Sequence, residues 1–417
     1  VGSGLTLEIC TPVISRGPGG GYPPPPICHD LRQVGANGTF SLDSVYPAGY
    51  SGGDYVTITQ QPSSPPQVCL ISNEAVSNQA ANDTGFTVAC ADYYAYPFVT
   101  NAVDNTLSSY RVDATTGAVA VIGAPTATGT SPYAIVGFEH FVYVGNEGSN
   151  DVSAFAVDTT GALTAVPGSP FAAGTDPKAM VVYWNGGSEN LYVANAGSDN
   201  VSVYTIDSIT GALAGPSTIA TGKSPTSIVV DPDGSQIYVA NHGGSNDISE
   251  FYGDLTPVPG SPFPAGGNPL SLALGAGGKF LYSANPDATN PRISGFSMNS
   301  IGALSPLSGS PFPLPVSHYI ATDQTGAYLY VTSGASVLGY GIDATTGALT
   351  PLPGFPVATG ANAYSITIDP TNEILYVTND GAANVSAFTL DASTGALTPM
   401  AGSPFPAGNH PKFIATF

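Results

Sequence analysis

Along residues 176–221 the apolar stretches Ala179-Met180-Val181-Val182 and Leu191-Tyr192-Val193-Ala194 are followed by Val201-Ser202-Val203-Tyr204-Thr205-Ile206, where apolar and polar positions alternate with a period of two. β-Branched and aromatic residues fill the runs and Gly, Asn and Asp punctuate them, so the segment reads as short antiparallel strands. No apolar period of 3.6 is sustained long enough for a helix. The tetrad Leu191-Tyr192-Val193-Ala194 closes on Asn195, and counterparts close on Asn101, Asn146, Asn241, Asn285, Ser333 and Asn379, at spacings of 44 to 49 residues. Seven four-stranded units at that spacing predict an all-β fold, a seven-bladed β-propeller.

The ends of the repeat predict how the ring closes. A last first-strand pattern occupies residues 411–417 and nothing follows it, whereas the first second-strand pattern, Ala95 to Thr100, has only a weak strand before it. Residues 411–417 are therefore expected to complete blade 1 and close a propeller domain spanning 91–417. A turn of the form Asp-x-x-x-Gly, as in Asp207 to Gly211, recurs after the third strand, where Asp caps its own turn and Gly supplies a positive φ. Blade 4 runs instead from Phe251 through Gly253-Asp254-Leu255, which predicts a trimmed edge. Gly-Ser-Pro-Phe at 168–171, 260–263, 309–312 and 402–405 places Pro where a ladder donor is dispensable, on the outermost strand.

Residues 1–90 follow a different pattern. Leu5 to Cys10, Asn37 to Leu42, Tyr55 to Thr59, Val68 to Ile71 and Phe86 to Cys90 are candidate strands of a small β-sandwich, interrupted by a Pro-rich insert with the stiff run Tyr22-Pro23-Pro24-Pro25-Pro26. The chain has four cysteines, Cys10, Cys28, Cys69 and Cys90, all in this segment. Spacings of 18 and 21 are too wide for CxxC chemistry and fit two disulfides in an oxidising compartment. Three connectivities are open, of which Cys10–Cys28 with Cys69–Cys90 closes locally.

Charge narrows the function classes. Eight Lys plus Arg stand against 29 Asp plus Glu, a formal net charge of −21, which makes nucleic acid a poor partner and disfavours an anionic membrane surface. Only 9% of residues are charged, and 51 Gly and 38 Pro leave a surface of small polar groups suited to a secreted, extracellular or cell-surface protein. No apolar run has transmembrane length, and the opening Val-Gly-Ser-Gly-Leu-Thr suggests that a signal segment has been cut away.

The Tyr-Val-Ala-Asn and Tyr-Val-Thr-Asn motifs with Asp-x-x-Thr-Gly-Ala-Leu resemble the bacterial YVTN or lactonase-like propellers over residues 91–417. That family implies the seven-bladed fold and, for some members, lactone chemistry. The N-terminal Gly-Thr-Phe, Tyr-Val-Thr-Ile, Gln-Pro and Val-x-Cys pattern is similar to an Ig-like module of bacterial surface proteins, which implies a bridge between Cys69 and Cys90 across its last strands.

No P-loop, HExxH, GxSxG or EF-hand motif is present. Candidate chemistry is confined to the rim formed by loops entering each first strand and leaving each second strand. Lactone hydrolysis needs a base near water and a cation at the developing oxyanion. Asp176 and His410 are the candidate catalytic groups, and Glu147, Asp151, Asp176, His242 and His410 are candidate ligands of a possible divalent cation; His318 falls on the same face. Lys178 and Lys412 share a repeat position and read as solvated strand-start lysines, and the Asn ladder reads as loop ties. With no assembled catalytic group legible, the sequence favours a non-catalytic structural or adhesive component of a bacterial surface assembly, possibly polymerising through residues 1–34. Its partners would be other copies of itself, cell-surface proteins or glycans. An extracellular lactonase-like hydrolase acting at the channel mouth is the alternative.

Overall fold

The computed structural model describes residues 96–417, apart from 114–117, 185–187, 288, 300–301, 316–318 and 417, and before them only the backbone of strands between Thr6 and Ala95. The chain divides into two compact units, residues 1–94 with 113–117, and residues 95–112 with 118–417.

In the first unit Ile27–Gln33, Thr6–Thr11, Asp54–Gln60 and Ala75–Val76 form one sheet in that order, and Gly38–Thr39, Thr87–Asp92 and Gln67–Ser72 form another. Strand register sets Cys10 opposite Cys28 and Cys69 opposite Cys90. The cysteine side chains, and with them the Ig-like disulfide module, lie outside the described residues.

The second unit is a seven-bladed propeller. Each blade is an antiparallel sheet in chain order, as in blade 3, where Pro177–Trp184, Glu189–Asn195, Asn200–Ile206 and Leu213–Ala220 follow one another from the axis outward. Blade 1 takes its innermost strand from the far end of the chain: Pro411–Ala415 pairs with Phe98–Asn101, Ile414 opposite Val99 and Ala415 opposite Phe98. In blade 4 the short strand that follows the third strand elsewhere is reduced to one bridge between Phe251 and Pro257. Among the described residues no helix is long and apolar enough to cross a membrane.

The blades are joined face to face. Phe141, Tyr143 and Val152 of blade 2 pack with Leu191, Val193 and Tyr204 of blade 3 in one buried cluster, and equivalent clusters follow around the ring. The second-strand tyrosine adds a polar stitch: Tyr143 Oη donates to Gly211 O, Tyr282 Oη to Gly347 O and Tyr330 Oη to Gly395 O, at 3.0, 2.7 and 2.8 Å, each reaching the turn of the next blade. This explains why Tyr and the Asp-x-x-x-Gly turn recur together. Gly211 has φ +72°, and a Cβ there would sit 2.3 Å from the Phe141 ring. In Gly-Ser-Pro-Phe the serine carries a ladder role of its own, since Ser169, Ser261, Ser310 and Ser403 Oγ each accept a third-strand N–H at 2.8 to 3.0 Å.

The Asn ladder is structural. Asn101, Asn146, Asn195, Asn241, Asn285 and Asn379 are fully buried. Each donates through Nδ2 to a third-strand Ser Oγ at 2.8 to 2.9 Å. A glycine in the preceding loop lies against the amide; a Cβ at Gly174 would come 2.6 Å from Asn195 Cγ. The ladder thus fixes the loops that carry the rim.

Candidate functional site

Each first strand begins at the rim, and the second residue of its opening reads Tyr133, Lys178, Thr226, Leu270, Tyr319, Tyr364 and Lys412 around the ring. The residue two places earlier takes a left-handed backbone at Ser131, Asp176, Ser224, Asn362 and His410, with φ between +53° and +59°. Because two of these are serines, the conformation belongs to the repeat. It aims the following side chains at the axis. Blade-to-blade ties hold the loops: Asn150 Oδ1 accepts Asp176 N at 2.9 Å and Asp199 Oδ1 accepts Ser224 N at 2.8 Å.

At the axis three tyrosines from blades 2, 6 and 7 meet. Tyr133 Oη lies 2.8 Å from Tyr319 Oη and 2.6 Å from Tyr364 Oη. Blades 2 and 6 stand nearly across the ring from one another, so this hydrogen-bonded cluster bridges the channel. Phe413 from the closing strand packs on all three rings, with centroids 4.9 to 6.2 Å away. Burial pushes the Tyr133 and Tyr319 phenols well above their usual pKa, so both stay protonated donors.

Two lysines flank this floor. Lys178 Nζ is 4.3 Å from the Tyr133 ring centroid, and Lys412 Nζ is 4.3 Å from that of Tyr364. Lys178 is held between Glu147 Oε2 at 2.9 Å and Asp176 Oδ1 at 3.1 Å. Lys412 meets Asp380 Oδ1 at 2.9 Å, and the same oxygen lies 3.1 Å from His410 Nδ1. Burial opposes ionisation of Asp380, but hydrogen bonds and charge from Lys412 and His410 outweigh it and hold the carboxyl below the usual range. His410 Nδ1 faces that carboxylate, and the side chain is about half exposed.

The fold therefore separates the candidates read from sequence. Asp176 joins Glu147, and His410 joins Asp380. Asp151 accepts Asn146 Nδ2 at 2.7 Å and Ser149 Oγ at 3.0 Å, tying its own loop. His242 Nε2 meets Asn268 Nδ2 at 3.2 Å. The proposed cation ligands do not converge: among the described residues no three His, Cys, Asp or Glu are grouped to hold a metal. Between Glu147 and Asp176 the positive charge is the Lys178 ammonium. His318 lies outside the described residues. Lys178 and Lys412 are not the solvated lysines expected, each being only about a fifth exposed.

Sequence reasoning passed over Tyr133, Tyr319, Tyr364 and Asp380. Their signal was positional. The axial position carries Tyr or Lys in five of the seven blades, and Asp380 follows Asn379 as Glu147 follows Asn146.

The family model for lactonase, 7-bladed beta-propeller, matches residues 178–256 and 247–416, more than half of the chain. The chain belongs to the lactonase family of seven-bladed β-propellers. A solved protein from Bacteroides fragilis, provisionally named a 6-phosphogluconolactonase, is similar with a TM-score of 0.66 and 22% identity over 78% of this chain and 98% of that one. The periplasmic gluconolactonase of Pseudomonas aeruginosa is similar with a TM-score of 0.63 and 18% identity over 78% and 99%. No curated protein matches the chain.

Membership of this family overturns the expectation of a non-catalytic structural or adhesive component, and with it the expectation that the chain is not an enzyme. The physical reason is that the rim side chains of this lactonase-family propeller come from separate blades and form no contiguous motif.

Proposed function

We propose that the chain hydrolyses a sugar-type lactone at the channel mouth. The observation that carries this reading is the Asp380 carboxylate, which orients His410 and Lys412 together beside the tyrosine floor. His410 Nε2 takes a proton from water as its oxygen adds to the lactone carbonyl carbon, and Asp380 steadies the imidazolium. Lys412 has ammonium donors beyond its bond to Asp380 and stabilises the oxyanion. Collapse breaks the ring C–O bond, the imidazolium returns its proton to the departing alkoxide, and a hydroxy acid leaves. The hydrogen-bonded tyrosine cluster forms the floor beneath the lactone ring. Purified protein assayed by pH-stat against five- and six-membered sugar lactones should open at least one far faster than buffer, with His410→Gln losing that rate. A wild-type rate equal to buffer for every lactone would overturn the reading.

The same reading puts the enzyme outside the cytoplasm, with residues 1–90 as a separate module before a propeller of residues 91–417. Residues directly opposite on antiparallel neighbours have Cα atoms about 4.5 to 5.5 Å apart, within the disulfide range. That supports Cys10–Cys28 and Cys69–Cys90 as oxidised pairs. Alkylation of the unfolded protein before and after reduction checks this: label accepted without reductant would refute it.

A further inference from the structure

Among the described residues each Lys and Arg of the rim already faces a carboxylate. Lys178 is paired with Glu147 and Asp176, Lys412 with Asp380, Lys223 with Asp199 at 3.7 Å and Arg292 with Asp287 at 2.8 Å. At the mouth itself three carboxylates surround two ammonium groups, within a chain of net charge −21. Lys178 is the more committed of the two, with a carboxylate on either side and a ring beneath. Phosphate recognition draws on Arg or Lys charge that carboxylates do not offset, or on converging backbone N–H groups, and here Glu147, Asp176 and Asp380 outweigh the charge of Lys178 and Lys412. What the mouth does offer a neutral ligand is hydrogen-bond acceptors, the carboxylate oxygens of Glu147 and Asp176 on side chains about a third exposed, above a floor of protonated phenols.

We infer that the mouth selects a neutral polyhydroxy lactone and rejects its phosphorylated counterpart, with Glu147 and Asp176 as the specificity-determining residues. This rests on the hydrolytic reading above. A dianionic group brought beside Glu147 and Asp176 meets like charge at short range, while a neutral ring donates hydroxyl hydrogens to the same oxygens. The arrangement also acts on the product. Ring opening turns a neutral lactone into a carboxylate, and the carboxylates that admitted the substrate then repel what it becomes.

The test compares D-glucono-1,5-lactone with its 6-phosphate at low salt, beside calorimetric binding of the unreactive gluconolactam and its 6-phosphate. The expected result is a kcat/KM at least about tenfold higher for the neutral lactone, tighter binding of the neutral lactam, and a preference that narrows in the Glu147→Gln, Asp176→Asn double variant. Added salt should raise the rate on the phosphorylated lactone more than on the neutral one. Equal or better handling of either phosphorylated compound by the wild-type protein would overturn the inference while leaving hydrolysis standing. Selective binding of the neutral lactam without turnover would keep the charge selection and remove the hydrolytic reading. Failure to bind either lactam would remove both.

Discussion

His410 Nδ1 lies 3.1 Å from Asp380 Oδ1, so the strand that completes blade 1 is joined at the rim to the loop leaving the second strand of blade 7. The two residues are 30 apart in sequence and meet because the chain, on leaving blade 7, runs into the innermost strand of blade 1. Replacing His410 by Gln should lower kcat by about 10²- to 10³-fold, with the melting temperature within a few degrees of wild type. Asp380→Asn should lower kcat as well, since the imidazolium loses its counter-charge. Asp380 ionises below its ordinary pKa of 3.8, so its contribution to stability is present above that value and lost as pH falls through the lowered one. Thermal melts of wild type and Asp380→Asn should converge below pH 3.8; a constant offset down to low pH would count against the ion pair.

The two mouth lysines should behave differently. Lys178→Met leaves Glu147 and Asp176 side by side without their cation, a loss of about 1–2 kcal/mol for a partly exposed cluster, readable in urea melts. Lys412→Met should act chiefly on kcat. If the two variants lost activity and stability in the same proportion, the division of roles would be wrong.

Glu250 stands where blades 2, 5 and 7 have Ala154, Gly295 and Ala387, each with its N–H on a Gly-Ser-Pro serine. Its carboxyl is fully buried with neither oxygen hydrogen-bonded, near Gln236 and Gly302. Desolvation, then the charge of Asp231, pushes its pKa up to about 8 from an ordinary 4.5. Between those values the unfolded chain has lost the proton that the fold retains, so stability falls as pH rises through this window. Glu250→Ala should raise the melting temperature at pH 8, by an amount equivalent to a few kcal/mol, and little at pH 4. A gain independent of pH would refute the buried-carboxyl account.

Gly211→Ala should be costly. The new methyl would meet the Phe141 ring on a backbone with φ +72°, and strain and clash together should cost about 2–3 kcal/mol. Gly395→Ala, with φ +71° and the Tyr328 ring 2.6 Å from its Cβ position, should do the same at the blade 6 to blade 7 junction. By contrast, a Cβ at Gly402 has nothing within 4 Å, so Gly402→Ala isolates the cost of a positive φ alone. Denaturant midpoints of the three variants separate the two terms.

Deleting residues 411–417 removes the innermost strand of blade 1 together with Lys412 and Phe413. The backbone of Phe98–Asn101 loses its partner and the tyrosine floor loses the ring that packs on it. The shortened chain should lose cooperative unfolding by calorimetry. An unchanged melting temperature would show that the seam is not held by this strand.

The period-two pattern and its recurrence determined the all-β propeller, because a strand that buries one face repeats every two residues and a blade that cannot bury itself must repeat until a ring forms. The spacing of Tyr, Asn, Asp and Gly was equally legible, each being tied to a partner at a constant offset: Asn195 to Ser202, or Tyr143 to Gly211 of the next blade. The site was not. Tyr133 and Tyr364 are 231 residues apart and share a hydrogen bond only because the ring brings blades 2 and 7 to one axis. His410 and Asp176 look alike in sequence, as rim residues before a proline. Tertiary structure alone gave Asp176 to Lys178 as a counter-ion and gave His410 a carboxylate of its own. Local pattern reports what each residue does for its own blade, whereas charge pairing and burial depend on which side chains the folded blades bring alongside: Glu147 to Lys178, Asp380 to His410 and Tyr364 to Tyr133.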